Sequence, residues 1–191
     1  EPLNKVVPRK PKLSSLMLRD GSFFILSFFR RMFNFRKFER SVRESIRKGR
    51  SNVQQRIVVK IGSSSLTSAE GGLNPARIAF FADELAALHR EGYQVLVVTS
   101  GAVAAGFRTI GYKQRPRALA EKQAAAAVGQ ALLMQAYNNA FAALGIGVAQ
   151  ILLTRMDFAH RKRINNAMMA LEELFRRRII PIINENDTVA V

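Results

Sequence analysis

Apolar residues in this chain fall into short unbroken runs that alternate with stretches of helical spacing. Arg56-Ile57-Val58-Val59-Lys60 is a β-branched run that breaks off in Gly62-Ser63-Ser64-Ser65, as a buried strand and its turn do. Asn74 then offers an N-cap with Pro75 in the first helical position. Ile78, Phe81, Leu85 and Leu88 recur at helical spacing until Gly92 stops the pattern. Val95-Leu96-Val97-Val98 predicts a second strand, and the alanine-rich residues 119–144 a long helix ended by Gly145. Residues 148–153 predict another strand. Residues 163–178 predict a helix with Ile164, Leu171 and Leu174 facing inward. Ile179-Ile180-Pro181-Ile182-Ile183 closes the series as a strand whose proline predicts an early or edge position. Strands alternating with helices predict an α/β protein with a mainly parallel sheet. No internal repeat is visible.

Residues 1–52 follow another rule. A Pro/Lys stretch, Val7-Pro8-Arg9-Lys10-Pro11-Lys12, suits an extended, solvated chain. Phe23-Phe24-Ile25-Leu26-Ser27-Phe28-Phe29 follows, then Arg30, Arg31, Phe33, Phe35, Arg36 and Phe38, an aromatic and basic stretch of helical character. It is too short in apolar length to cross a bilayer, and arginines stand where a signal peptide would carry small residues for cleavage. A surface-seeking amphipathic helix, an RNA-contacting arm and a non-native extension of the reading frame all fit. The reading adopted is a basic extension, 1–52, without activity of its own, ahead of a domain spanning 53–191.

Charge reinforces that division. The chain carries +16 net, which invites a nucleic-acid or acidic-membrane partner. The first 55 residues supply +10 of it, leaving +6 across the other 136, a moderate surplus that suits anionic phosphates. Cysteine is absent and the two histidines, His89 and His160, are far apart with no ligand pattern, so disulfides are excluded and no metal site is expected.

Three of the predicted strands end in short polar turns, and ligands of open α/β sheets sit beyond such strand ends. At Lys60-Ile61-Gly62-Ser63, a lysine can place its ammonium over a phosphate while glycine lets backbone amides approach the oxygens. A strand-edge lysine before a flexible loop is the plainer reading. The chain has no Gly-x-x-x-x-Gly-Lys-Ser/Thr motif, which excludes a P-loop. At Thr99-Ser100-Gly101-Ala102, a helix start would favour an anion, or Ser100 would simply cap it. At Asn184-Glu185-Asn186-Asp187-Thr188, two carboxylates and two amides could hold an ammonium group or orient a magnesium-bound water. An Asx-rich turn satisfying its own backbone is the alternative.

These phrases resemble those of the amino-acid kinase family. The segment from Arg56 to Ser64 is similar to its opening strand and phosphate loop, and Val98-Thr99-Ser100-Gly101-Ala102-Val103-Ala104-Ala105-Gly106 to its second glycine turn. Pro181-Ile182-Ile183-Asn184-Glu185-Asn186-Asp187-Thr188-Val189 looks more specifically like the branch acting on glutamate than those acting on acetylglutamate, aspartate or uridylate. Lys122-Gln123, Ala127-Val128-Gly129-Gln130 and Leu153-Thr154-Arg155 look like the same branch.

The resemblance implies a three-layer α/β/α sandwich. It also implies ATP-dependent phosphorylation of the γ-carboxylate of L-glutamate to γ-glutamyl phosphate, the first step of proline biosynthesis, with Mg2+. By match of motif, Lys60 is the catalytic and ATP-phosphate lysine, with Gly62 and Ser63 at the phosphates. Ser100, Gly101, Ala102, Asn184 and Asp187 are glutamate-binding, and no residue is assigned to metal. The family's second phosphate lysine and adenine pocket lie downstream of the matched motifs. The chain therefore reads as truncated at its carboxyl end, inactive alone, with unpaired sheet edges. A cytoplasmic homo-oligomer needing no nucleic acid and spanning no membrane is expected of the complete enzyme. The small-residue faces of the 119–144 helix suit packing between subunits or on the sheet. Another member of the same family is the nearest alternative. A basic RNA- or membrane-associated protein working through residues 1–55 is the remote one, and it predicts salt-sensitive binding lost with that segment.

Overall fold

In the computed structural model, residues 23–27, 56–68 and 71–190 are described. Five strands, β1 (Phe23–Ser27), β2 (Arg56–Ile61), β3 (Gln94–Thr99), β4 (Val148–Leu153) and β5 (Ile180–Glu185), form one sheet in the order β1-β2-β3-β5-β4. All four pairings are parallel. Among the described residues, six helices follow β2: α1 (Ser63–Leu66), α2 (Pro75–Arg90), α3 (Ala102–Gly106), α4 (Leu119–Ala142), α5 (Arg155–Ala159) and α6 (Arg161–Arg176).

Strand alternation sorts the core into two layers. Ile57, Val59 and Ile61 of β2, Val95 and Val97 of β3, and Ile180 and Ile182 of β5 point to one face. There they meet Ile78, Ala82, Leu85 and Ala86 of α2 and Leu133, Tyr137 and Phe141 of α4. The intervening residues Val58, Leu96, Val98, Ile151 and Ile183 point to the other face, under Leu171 and Phe175 of α6. Helices on both faces of a parallel sheet make the expected α/β/α sandwich. Arg56 ties the start of β2 to α6, pairing with Glu172 and lying 5.0 Å over the Phe175 ring.

Helix α2 begins as its sequence predicts. The Asn74 side chain accepts from the Arg77 amide at 3.2 Å with Pro75 in the first turn, and Gly92 turns the chain at φ 97°. Helix α4 buries Ala125, Gly129, Leu133, Tyr137 and Phe141, a stripe at every fourth residue, together with Ala126. Its large members fill the core over the sheet. Its small members receive α3 so closely that a Cβ on Gly129 would stand 1.8 Å from the Ala102 carbonyl oxygen, and one on Gly106 2.1 Å from that of Ala125. The small-residue face of α4 is thus occupied within the chain.

Two sequence expectations are corrected and a third is narrowed to one of its alternatives. Phe23–Ser27 is a strand, where the aromatic and basic run reads as helical; it pairs with β2 from Phe23 opposite Arg56 to Ser27 opposite Lys60. Pairing with a neighbouring strand overrides a local pattern of that length. The Pro/Lys stretch and positions 28–38 lie outside the described residues. Pro181 is early in its strand but not at an edge, since β5 lies between β3 and β4. The Ile180 amide donates to Gly147 on the β4 side, so the nitrogen of Pro181 turns toward β3. The β3 pairing starts only at Val97 opposite Ile182, and the missing N–H falls just short of that ladder. In α6, Phe175 is buried where Leu174 was expected, and Leu174 and Ile164 are half-buried.

Candidate active site

Every strand of a parallel sheet ends on the same side, so the three polar turns converge there. The turn after β2 is a short helix, α1, and its conformation is held from two directions. Leu66 is fully buried, and Arg77 of α2 donates to the Ser64 and Thr67 carbonyls at 3.0 and 3.2 Å. Gly62 has φ −76° and ψ 156°, angles open to any residue. A Cβ there would meet no atom within 4 Å. Nothing in the described residues calls for glycine at 62, and its bare side opens on free space.

Gly101 is a different case. Its φ of 115° is the left-handed region that glycine tolerates, and a Cβ would stand 3.5 Å from Ser63 Cα. Ser100 Oγ donates to the Ile61 carbonyl at 3.4 Å. The first and second turns are therefore in contact, with Ser63, Ser100 and Gly101 side by side and Ala102 opening α3 behind them. Lys60 stands one residue before the end of β2, opposite Val98 in register and exposed. Alternation puts it on the α6 face of the sheet, at the rim of this crevice.

The third turn is joined to the second from behind, by α4. Tyr137 OH and Thr99 Oγ1 lie 3.0 Å apart in the core. Burial pushes the Tyr137 hydroxyl up to about 12, partly offset by its bond to Thr99, so it is a fixed neutral cross-link and no acid or base near neutral pH. Seven residues earlier, Gln130 Oε1 accepts from Asn184 Nδ2 at 2.8 Å, and Asn184 is 4% exposed. Gln123 Nε2 donates to the Ala190 carbonyl at 3.3 Å. Helix α4 thereby fixes the ends of β3 and β5 and the turn that follows.

That turn closes through its backbone, with the Val189 and Ala190 amides donating to the Asn186 carbonyl and the Asn186 amide to that of Leu153. Asp187 is half-buried. Desolvation raises its carboxyl above the ordinary carboxylate range, Glu185 raises it further, and Arg115 opposes both. A raised folded-state pKa means the fold favours protonated Asp187. Its contribution to stability is full below the ordinary carboxylate pKa and lost as pH rises through the higher value. Asp187→Asn should therefore melt at the same temperature as the parent near pH 3 and above it near pH 7. Water screening at a half-exposed group keeps the gain below about 1 kcal/mol. Melting curves across that range test this, and a gap independent of pH would show that charge is not its cause.

Other polar features lie apart from the crevice or are spent. At the end of β4, Thr154 and Asp157 cap α5 reciprocally, with Thr154 Oγ1 2.7 Å from Asp157 Oδ2. His89, at the C-terminal end of α2, sits where β3 begins, at the opposite end of the sheet. Burial and Arg178 lower its pKa. No group of three or more His, Cys, Asp or Glu side chains among the described residues could hold a metal ion. No described helix is long and apolar enough to cross a membrane. The sequence motifs flagged Gln123 and Gln130 without a role, and gave no signal for Tyr137 or Arg115, whose partners lie far along the chain.

The amino acid kinase family model matches residues 55–191. Among curated proteins, the chain is 52% identical over 138 residues to glutamate 5-kinase of Streptococcus suis, covering 72% of this chain and 38% of that protein. It is 54% identical over 137 residues to glutamate 5-kinase of Neisseria gonorrhoeae, with 72% and 46% covered. To glutamate 5-kinase of Shouchella clausii it is 55% identical over 135 residues, with 71% and 36% covered. The chain spans less than half the length of each of these relatives. The family match takes in β2 to β5 and all six helices, and on that ground the chain belongs to the amino acid kinase family.

Proposed function

We propose that this protein transfers the γ-phosphoryl group of ATP to the side-chain carboxylate of L-glutamate, giving γ-glutamyl phosphate and ADP, the first step of proline biosynthesis. What carries the reading is the convergence of Ser63, Ser100 and Gly101 with the Asn184–Asp187 turn beyond one end of the sheet. The names of the relatives support it from outside the structure.

The chemistry asks little of acid–base groups. A glutamate side chain is already ionised near neutral pH, so its oxygen attacks the γ-phosphorus directly. An oxygen–phosphorus bond forms, the bond to the β–γ bridging oxygen breaks, and ADP leaves with that oxygen. The obstacle is the approach of two anions and the charge on the transferring group. In this reading Lys60 places its ammonium on the phosphates, while the bare Gly62 and the amide of Ser63 let backbone donors approach them. Ser100, Gly101 and Ala102 bind glutamate from one side. Asn184 and Asp187 hold its ammonium group from the other, and the desolvation that raises Asp187 strengthens its attraction for a cation. Mg2+ would come with the nucleotide, whose phosphates and water supply the oxygens it prefers. Residues 1–52 have no step in this scheme, and we extend the reading to a cytoplasmic homo-oligomer.

Trapping the acyl phosphate with hydroxylamine tests the proposal, on this chain and on the chain joined to the part of the Streptococcus suis relative it does not cover. Glutamate-dependent hydroxamate from the joined protein supports the reading. A folded joined protein that is silent with glutamate, or prefers another carboxylic acid, refutes it. In the active protein, Asp187→Ala should raise the KM for glutamate roughly tenfold to hundredfold, the worth of one hydrogen bond to a charged group. An effect confined to the KM for ATP would contradict the assignment.

A further inference from the structure

Asn184 is almost wholly buried, and its only described side-chain hydrogen bond runs from Nδ2 to Gln130 Oε1 at 2.8 Å. An amide has one donor end and one acceptor end, so pinning the nitrogen against α4 turns the oxygen away from that helix. Gln130 makes this bond at a cost. Its own Nε2 is buried without a hydrogen-bond partner among the described residues, a condition that weakens a fold. A side chain placed only for packing would carry no such donor. Its position is also fixed: Gln130 follows Gly129, which α3 meets backbone to backbone.

We propose that Gln130 is a positioning residue that sets the rotation of the Asn184 amide, presenting Oδ1 to the ammonium group of the substrate and so selecting an α-amino dicarboxylate over the same dicarboxylate without the amino group. This rests on the reading of Asn184 as a substrate residue given above. Were the amide turned over, Nδ2 would face the ammonium group, donor against donor. Without an acceptor at 130, both rotations become open and part of the molecules present the wrong end.

The test compares kcat/KM for L-glutamate and for glutarate, which lacks the amino group, in the joined protein. Gln130→Leu removes the acceptor and should reduce the preference for glutamate roughly tenfold to hundredfold, as misplacement of a positioning contact does, with the KM for ATP unchanged. Gln130→Glu keeps an acceptor for Asn184 Nδ2 and should retain most of the preference. Asn184→Ala should lose the preference as well, and adding Gln130→Leu to it should lose nothing more. Gln130→Met preserves the side-chain length and stands in if the leucine variant does not fold. An unchanged preference in Gln130→Leu or Gln130→Met, or equal losses toward both acids, overturns the proposal. A parent protein that shows no preference for glutamate, or reacts with neither acid, removes the functional reading itself and this proposal with it.

Discussion

Replacing Lys60 by alanine should lower the turnover of glutamate by roughly two to three orders of magnitude, the scale of losing one preorganised donor to developing charge. Lys60 is exposed on the rim of the crevice, one residue before β2 ends. Removal of an exposed side chain shifts stability by no more than about 0.5 kcal/mol. The loss should therefore appear in kcat at saturating ATP and glutamate, with the melting temperature nearly unchanged. Lys60→Arg keeps the charge but replaces a compact ammonium with a broad planar fork, and should recover only part of the rate. Unaltered turnover in Lys60→Ala would take this residue out of the mechanism. The joined protein and the hydroxamate assay serve for this measurement too.

The largest effect on stability is expected from adding a single methyl group. Gly129→Ala places a Cβ 1.8 Å from the Ala102 carbonyl oxygen and 2.6 Å from the Gly106 amide nitrogen. Both obstacles are backbone, so no side chain can swing aside. Helix propensity acts in the opposite direction, favouring alanine by about 1 kcal/mol. Forcing two helix backbones apart costs more, and the net loss should reach about 3 kcal/mol or prevent folding. The shift would also carry α3 and Gly101 away from Ser63, so surviving protein should bind glutamate poorly. The control is Ala124→Gly, an exposed position of α4, where only the propensity term remains and about 1 kcal/mol should be lost. Chemical denaturation of the three proteins decides the matter. A Gly129→Ala midpoint within that same 1 kcal/mol of the parent would mean that α3 and α4 separate easily.

The elements legible in the sequence were those whose causes are local. The apolar segment Val148–Leu153 coincides with β4, and the Asn74-Pro75 pair with the start of α2, because short apolar segments and an N-cap followed by proline act within a few residues. The polar turns after β2, β3 and β5 were legible for the same reason. Features decided by distant partners were not. Phe23–Ser27 is extended because β2 lies alongside it, 33 residues later in register. Pro181 sits inside the sheet because of strand order, which no single strand encodes. Helix α4 shows small-residue faces fit for close packing, but whether they meet another subunit or the sheet is decided only by α3, which occupies one of them. The bonds from Gln130 to Asn184 and from Tyr137 to Thr99 span 54 and 38 residues. The polar turns of the rim are visible in the sequence, and the scaffold that holds them is not.

Strand order also bears on how the chain is made. Strand β5 emerges from the ribosome after β3 and β4, yet it must lie between them. Until it arrives, β3 has a free side and β4 has no partner among the described strands. A nascent chain at that stage exposes apolar strand edges of the kind that recruit other chains. Insertion of β5 then joins β4 to the rest of the sheet and delivers Asn184 to Gln130 in the same movement. Assembly of the crevice and the joining of β4 to the other described strands are therefore one event, and the exposure of strand edges should fall when it occurs.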